Sequence, residues 1–217
     1  MLAAISRQLD GAALLALSGC CAQWRRALLA ASDVLRSAAG LGRCNHQPAP
    51  GGGPLPALLL SAAAAGNPPV LALVGDLHTA AGRASEAQRS YRRAAMLGHP
   101  RSLLVHGLAL YQGPPEAGVV ARDAGEAHAL LARALRWASG PQAEAEDAST
   151  ALDIRSRGQL VLGYLLLDGE GMAAETERRW GDDAGRDEAL KCFRGAAEAG
   201  NTEAATQLGW LFNTGQF

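Results

Sequence analysis

Aromatic residues make up only 5% of this 217-residue chain, lysine occurs once, at Lys191, and almost no stretch alternates Val, Ile, Thr and aromatics with a period of two. Without such runs little or no strand is expected. The formal net charge of −1 argues against a nucleic-acid binder, which would normally carry a basic face. Four cysteines, Cys20, Cys21, Cys44 and Cys192, show no framework of paired spacings. Two of them are vicinal, a poor geometry for bridging each other, so reduced thiols in an intracellular compartment are expected. Cys44 with His46 lacks the pair of closely spaced cysteines that structural zinc favours.

Motifs of chemistry are missing too. There is no G-x-S-x-G, no H-E-x-x-H and no Gly-rich phosphate loop ending in Lys-Ser/Thr. The five histidines are scattered; His99 and His106, seven apart, would share a helical face, with His78 in a neighbouring repeat. Acidic pairs such as Asp182-Asp183 have no second pair with which to share a metal. No catalytic residue, metal ligand or cofactor is expected, and the chain reads as something other than an enzyme.

What is abundant is small. Alanine is about a fifth of the chain and glycine numbers 26, a composition that suits thin, closely packed helices. The order of these residues repeats. Asp187 to Gly215 reads DEALKCFRGAAEAGNTEAATQLGWLFNTG, two helices in which Glu188-Ala189 opens the first, Phe193 and Ala196-Ala197 share a side, Gly200 is a left-handed stop and Gly209 lies inside the second. The same phrase stands at Glu86-Ala87, Tyr91, Ala94-Ala95, Gly98 and Gly107. Glu86 to Gly107 and Glu188 to Gly209 both span 21 residues, while Glu126 to Gly163 spans 37, longer by an acidic insertion around Ser139 to Thr150 that reads as a mobile loop. A worn half-copy sets Gly66 nine residues before Gly75, the step that also separates Gly98 from Gly107 and Gly200 from Gly209.

Glycine inside a helix costs about 1 kcal/mol relative to alanine. Four such glycines in one phase, Gly75, Gly107, Gly163 and Gly209, imply close approach of neighbouring helix backbones. Hairpins of this kind cannot bury their faces alone, so they stack into a solenoid.

The residues carrying this pattern resemble the Sel-one-like repeat, a relative of the tetratricopeptide repeat. Leu162-Gly163-Tyr164 with Gly169 and Gly171 match one half of its consensus, and Asp187-Glu188-Ala189 with Phe193 and Ala196-Ala197 the other, with Phe where Trp or Tyr is usual. The likeness runs from about Leu55 to Phe217.

Residues 1–40 stand apart as short amphipathic helices. Ile5, Leu9, Leu14, Ser18, Cys21, Trp24 and Arg25 resemble the F-box, a helical module that docks on the Skp adaptor of cullin-type ubiquitin ligases. The Leu-Pro dipeptide that opens the family's module has no counterpart before Ile5. A Gly/Pro-rich linker follows over 41–56, RCNHQPAPGGGPLP from Arg43 to Pro56. F-box, linker and Sel-one-like repeats in this order are similar to plant-type F-box proteins. The nineteen arginines against one lysine fit either the codon bias of a GC-rich genome or a ligase component that has shed lysines. A rival reading of the head is a bacterial lipobox, LALSGC from Leu15 to Cys20, which would make the chain an exported lipoprotein.

The expected architecture is therefore all-α: an F-box-like module at 1–40, a linker at 41–56 and an α-solenoid at 57–217. The resemblance implies an intracellular adaptor, cytoplasmic or nuclear. Leu9, Leu14, Leu17, Cys21 and Trp24 would present or support the surface for the Skp adaptor, and the repeats would hold a client protein; no nucleic acid, membrane or cofactor enters. Trp180, beside Arg178 and Arg179 in a loop, adds a candidate contact, since Trp and Arg are favoured at binding hot spots. The alternative is a repeat scaffold without ubiquitin chemistry. Trp210, Leu211 and Phe212 in the last helix are expected to leave apolar surface exposed.

Overall fold

The computed structural model describes residues 57–113, 121–141, 143–168 and 183–213. Among these residues every regular element is helical and none is a strand. In order they are α1 (Ala57–Ala64), α2 (Pro68–Ala80), α3 (Ala84–Met96), α4 (Pro100–Gln112), α5 (Ala124–Ala138), α6 (Ala143–Asp153), a π turn (Ile154–Gly158), α7 (Gln159–Leu167), α8 (Asp183–Glu198) and α9 (Thr202–Asn213). The chain divides into two compact units, Met1–Ser102 and Leu103–Phe217. The module expected at 1–40 and the linker at 41–56 lie outside the described residues.

Four helix ends are built alike. Gly66, Gly82, Gly98 and Gly200 hold φ at +82°, +70°, +84° and +87°, a left-handed conformation in which a Cβ costs about 1–2 kcal/mol. At Gly98 the N–H donates to the Ala95 carbonyl (2.9 Å) and the N–H of His99 to Ala94 (3.0 Å); Gly200 and Asn201 donate in the same way to Ala197 and Ala196, and Gly66 and Asn67 to Ala63 and Ala62. This paired bonding is the Schellman motif, which satisfies the last carbonyls of the helix.

The residue after the glycine then opens the next helix. Asn67 Oδ1 accepts from the Val70 N–H (3.1 Å), His99 Nδ1 from Ser102 (3.3 Å) and Asn201 Oδ1 from Ala204 (3.0 Å). Two residues thus end one helix and cap its successor. The stops expected at Gly66 and Gly200 stand where the sequence places them.

In the first unit α3 buries Ala87, Tyr91, Ala94 and Ala95, one stripe at helical spacing. The stripe faces a core of Leu58, Leu59, Ala62, Val70, Leu71, Val74 and Leu77 from α1 and α2. In the second unit α5 buries Ala127, Leu130, Leu131, Ala134 and Ala138. α7 is buried almost all round, and α8 brings Ala189, Phe193 and Ala196 against Ala204 and Leu211 of α9.

The helix-interior glycines are seats, and what sits in them is not backbone. A Cβ on Gly75 would lie 2.6 Å from the Tyr91 ring, one on Gly163 2.8 Å from the Phe193 ring and one on Gly107 3.0 Å from Leu131. Tyr91, Leu131 and Phe193 each stand five residues after the glutamate of a Glu-Ala pair, Glu86, Glu126 and Glu188. The expected close approach is therefore that of a large side chain to a bare helix surface, with the alanines flanking it letting its helix come near. At Gly209 no described atom lies within 4 Å of such a Cβ.

Two boundaries differ from expectation. The insertion around Ser139 to Thr150 is not a loop: α6 starts within it, and Ala143 and Ala151 are fully buried. Asp147 interrupts the helix with φ −160° and ψ 83° and recaps it. Its Oδ1 accepts from the Thr150 N–H (2.9 Å) and its Oδ2 from the Thr150 hydroxyl (2.6 Å). Acidic composition hid a helix that an aspartate restarts and alanines bury. α8 starts at Asp183 rather than at Glu188, because 183–187 carries no proline and nothing in it stops a helix from extending upstream.

Candidate interaction surfaces

Among the described residues no three His, Cys, Asp or Glu side chains converge to hold a metal ion. Burial first, then Glu188, pushes the Cys192 thiol up to about 11, which leaves it protonated and unreactive near neutrality. His99 and His106 play separate parts: His99 caps the start of α4, whereas His106 is packed inside it at 3% exposure. Burial lowers the pKa of His78, with Arg83 adding to the effect, and burial does the same at His128.

The most developed polar group surrounds Asp76 of α2. The Tyr91 hydroxyl donates to Asp76 Oδ1 (2.6 Å) and Arg101 Nη1 donates to Oδ2 (2.6 Å). Thr79 returns its hydroxyl to the Gly75 carbonyl (3.0 Å). Burial, then the bond to Asp76, raises the Tyr91 pKa to about 12. A phenol that holds its proton so firmly is neither acid nor base at pH 7. Its hydroxyl instead anchors the ring in the Gly75 seat.

Among the described residues, two exposed surfaces are candidates for binding. One follows the outward side of α3, where Arg89, Arg92 and Arg93 are exposed and end on Met96 and Leu97, 73% and 53% exposed. Arg93 also donates to the Ala63 carbonyl at the end of α1 (3.2 Å), a favoured place for a cation. Met96 and Leu97 escaped the sequence reading, although their position just past the buried Ala94-Ala95 pair is the available signal.

The other surface belongs to α9. Ala205, Gly209, Trp210 and Phe212 are exposed, with Phe212 at 57%. Leu211, expected to join them, instead points inward at 1% exposure, because it lies on the opposite side of the helix and closes the core with Phe193 and Ala204.

The residues singled out for partner binding, Leu9, Leu14, Leu17, Cys21, Trp24 and Trp180, all lie outside the described residues, so none is placed and none is brought together with another. No helix among the described residues is long and apolar enough to cross a membrane. No protein-family profile matches the chain, and no curated protein matches it.

Proposed function

We propose that this chain is an intracellular protein-interaction adaptor, the substrate-recognition subunit of a cullin-type ubiquitin ligase. The head at 1–40 docks the Skp adaptor, and the repeated hairpins hold a client protein. The observation that carries the binding half of this reading is the recurrence of one hairpin design, with its seat at Gly75, Gly107 and Gly163 each filled by a neighbouring helix. Repeats of this kind use their recurring residues for stacking and leave extended outward faces, which suits recognition of other proteins. The ligase half rests on the F-box-like residues Leu9, Leu14, Cys21 and Trp24. Groups able to titrate or attack near pH 7 are scattered among the described residues, and a binding role asks no more of them.

The test is a pull-down of the full chain with the Skp adaptor, beside Leu14→Asp and Trp24→Asp. Binding by the parent chain and its loss in both variants, with unchanged helical content, is the expected result. Retention by the variants, or no binding by the parent chain, would sink the ligase assignment and leave a repeat scaffold.

A further inference from the structure

The exposed side of α9 carries, in the same helical phase, the positions at which the earlier glycine-bearing helices receive a neighbour. Counted from the helix-interior glycine, the positions four before and three after are Leu71 and His78 in α2, Leu103 and Leu110 in α4, Gln159 and Leu166 in α7, and Ala205 and Phe212 in α9. In α4 all three positions, Leu103, Gly107 and Leu110, are buried; in α2 Leu71 and Gly75 are, and in α7 Gly163 and Leu166. In α9 all three, Ala205, Gly209 and Phe212, are exposed. The first three glycines receive Tyr91, Leu131 and Phe193, whereas no described atom lies within 4 Å of a Cβ built on the fourth.

We infer that this surface of α9 binds an amphipathic helix of a partner protein, one that places a Phe, Tyr or Leu on Gly209 between flanking alanines. The three filled seats define the occupant. Each receives an apolar side chain five residues after the glutamate of Glu-Ala, followed three residues later by alanine, Ala94, Ala134 or Ala196. The surface of α9 continues this internal interface in the same helical phase, so the same chemistry fits it. A second copy of the chain is a poorer occupant: its own helices of this type, α3, α5 and α8, already bury Tyr91, Leu131 and Phe193 at 5%, 0% and 0% exposure. The partner's being a protein rests on the adaptor reading above. The two fail separately, because the Skp pull-down interrogates residues 1–40 and the experiment below interrogates α9.

The probe is a fluorescently labelled synthetic peptide with the sequence of residues 183–200, the chain's own α8, added to the full chain and followed by anisotropy. Saturable binding is expected. It should weaken at least tenfold for a peptide carrying Phe193→Ala, and at least tenfold when the full chain carries Gly209→Ala. That variant keeps its fold, because no described atom crowds the new methyl group, and an unchanged or raised melting temperature verifies this. A second variant, Phe212→Ser, removes apolar area beside the seat and should weaken binding without altering the melting temperature. Absence of saturable binding would overturn the inference, as would equal binding by the parent chain and Gly209→Ala. Self-association of the parent chain that Gly209→Ala abolishes would also overturn it, by making a second copy the occupant.

Discussion

The seats at Gly75 and Gly163 admit rings of the same size and hold them by different means. Tyr91 is anchored through its hydroxyl, which reaches Asp76 one residue past the glycine, and the far oxygen of that carboxylate is held by Arg101. Phe193 has no such handle. It is fully buried and meets Tyr164, the residue one past its own glycine, edge to face with ring centroids 5.3 Å apart. Tyr164 in turn directs its hydroxyl away, to Glu203 of α9 (3.0 Å). The position after the glycine therefore decides how the ring is fastened, and the glycine decides only that it can enter. Shape is the shared requirement and polarity the local solution.

The largest effect expected from breaking this comparison is at the ring without a handle. Phe193→Ala empties a fully buried seat and should cost about 3–5 kcal/mol by chemical denaturation. A loss below about 1 kcal/mol would mean that the seat collapses on its own and that the ring is not what holds α8 in place.

The glycines come next. Gly163→Ala and Gly75→Ala drive a methyl group into a ring and should each destabilise by about 1–3 kcal/mol despite the better helix propensity of alanine. Gly209→Ala meets no described atom within 4 Å and should gain up to about 1 kcal/mol. If denaturation midpoints for all three move in the same direction, helix propensity and not ring entry governs these positions.

The smallest effect isolates the handle. Tyr91→Phe removes one hydrogen bond and should cost about 1 kcal/mol at pH 7. It should also change the response to alkali. The Tyr91 phenol is raised from 10.0 to about 12 in the fold, so its contribution to stability is fully present below about pH 10 and is lost as the pH climbs through 12. Tyr164, raised to about 12 by burial and by Glu203, acts in the same direction. The melting temperature should fall between pH 10 and 12, less steeply in Tyr91→Phe; equal slopes would remove Tyr91 from the account.

Much of the helical plan was legible because it rests on local backbone chemistry. A glycine that must take φ near +85° marks its own position, and Gly66 and Gly200 end their helices where expected for that reason. The occupant of each seat was not legible. Tyr91, Leu131 and Phe193 follow their glycines by 16, 24 and 30 residues, so no single spacing points from one to the other. α6 was hidden because Asp147 and its acidic neighbours resemble a loop in composition, while burial of Ala143 and Ala151 is a property of packing. Of the candidate surface on α9, Trp210 and Phe212 were foreseen as exposed, but Leu211 was assigned to the wrong side of its helix. The binding residues proposed for the head, Leu9 to Trp24, gain nothing from these comparisons, since the structure describes none of them.

The π turn between α6 and α7 has a consequence in time. Asn201 reaches back across 45 positions of chain to donate from its side-chain amide to the Ser156 carbonyl (3.1 Å), while its own Oδ1 opens α9. Synthesis proceeds against that dependence. Ser156 is synthesised before the amide that bonds it, so this hydrogen bond is completed only once α9 has begun to pack back on the turn.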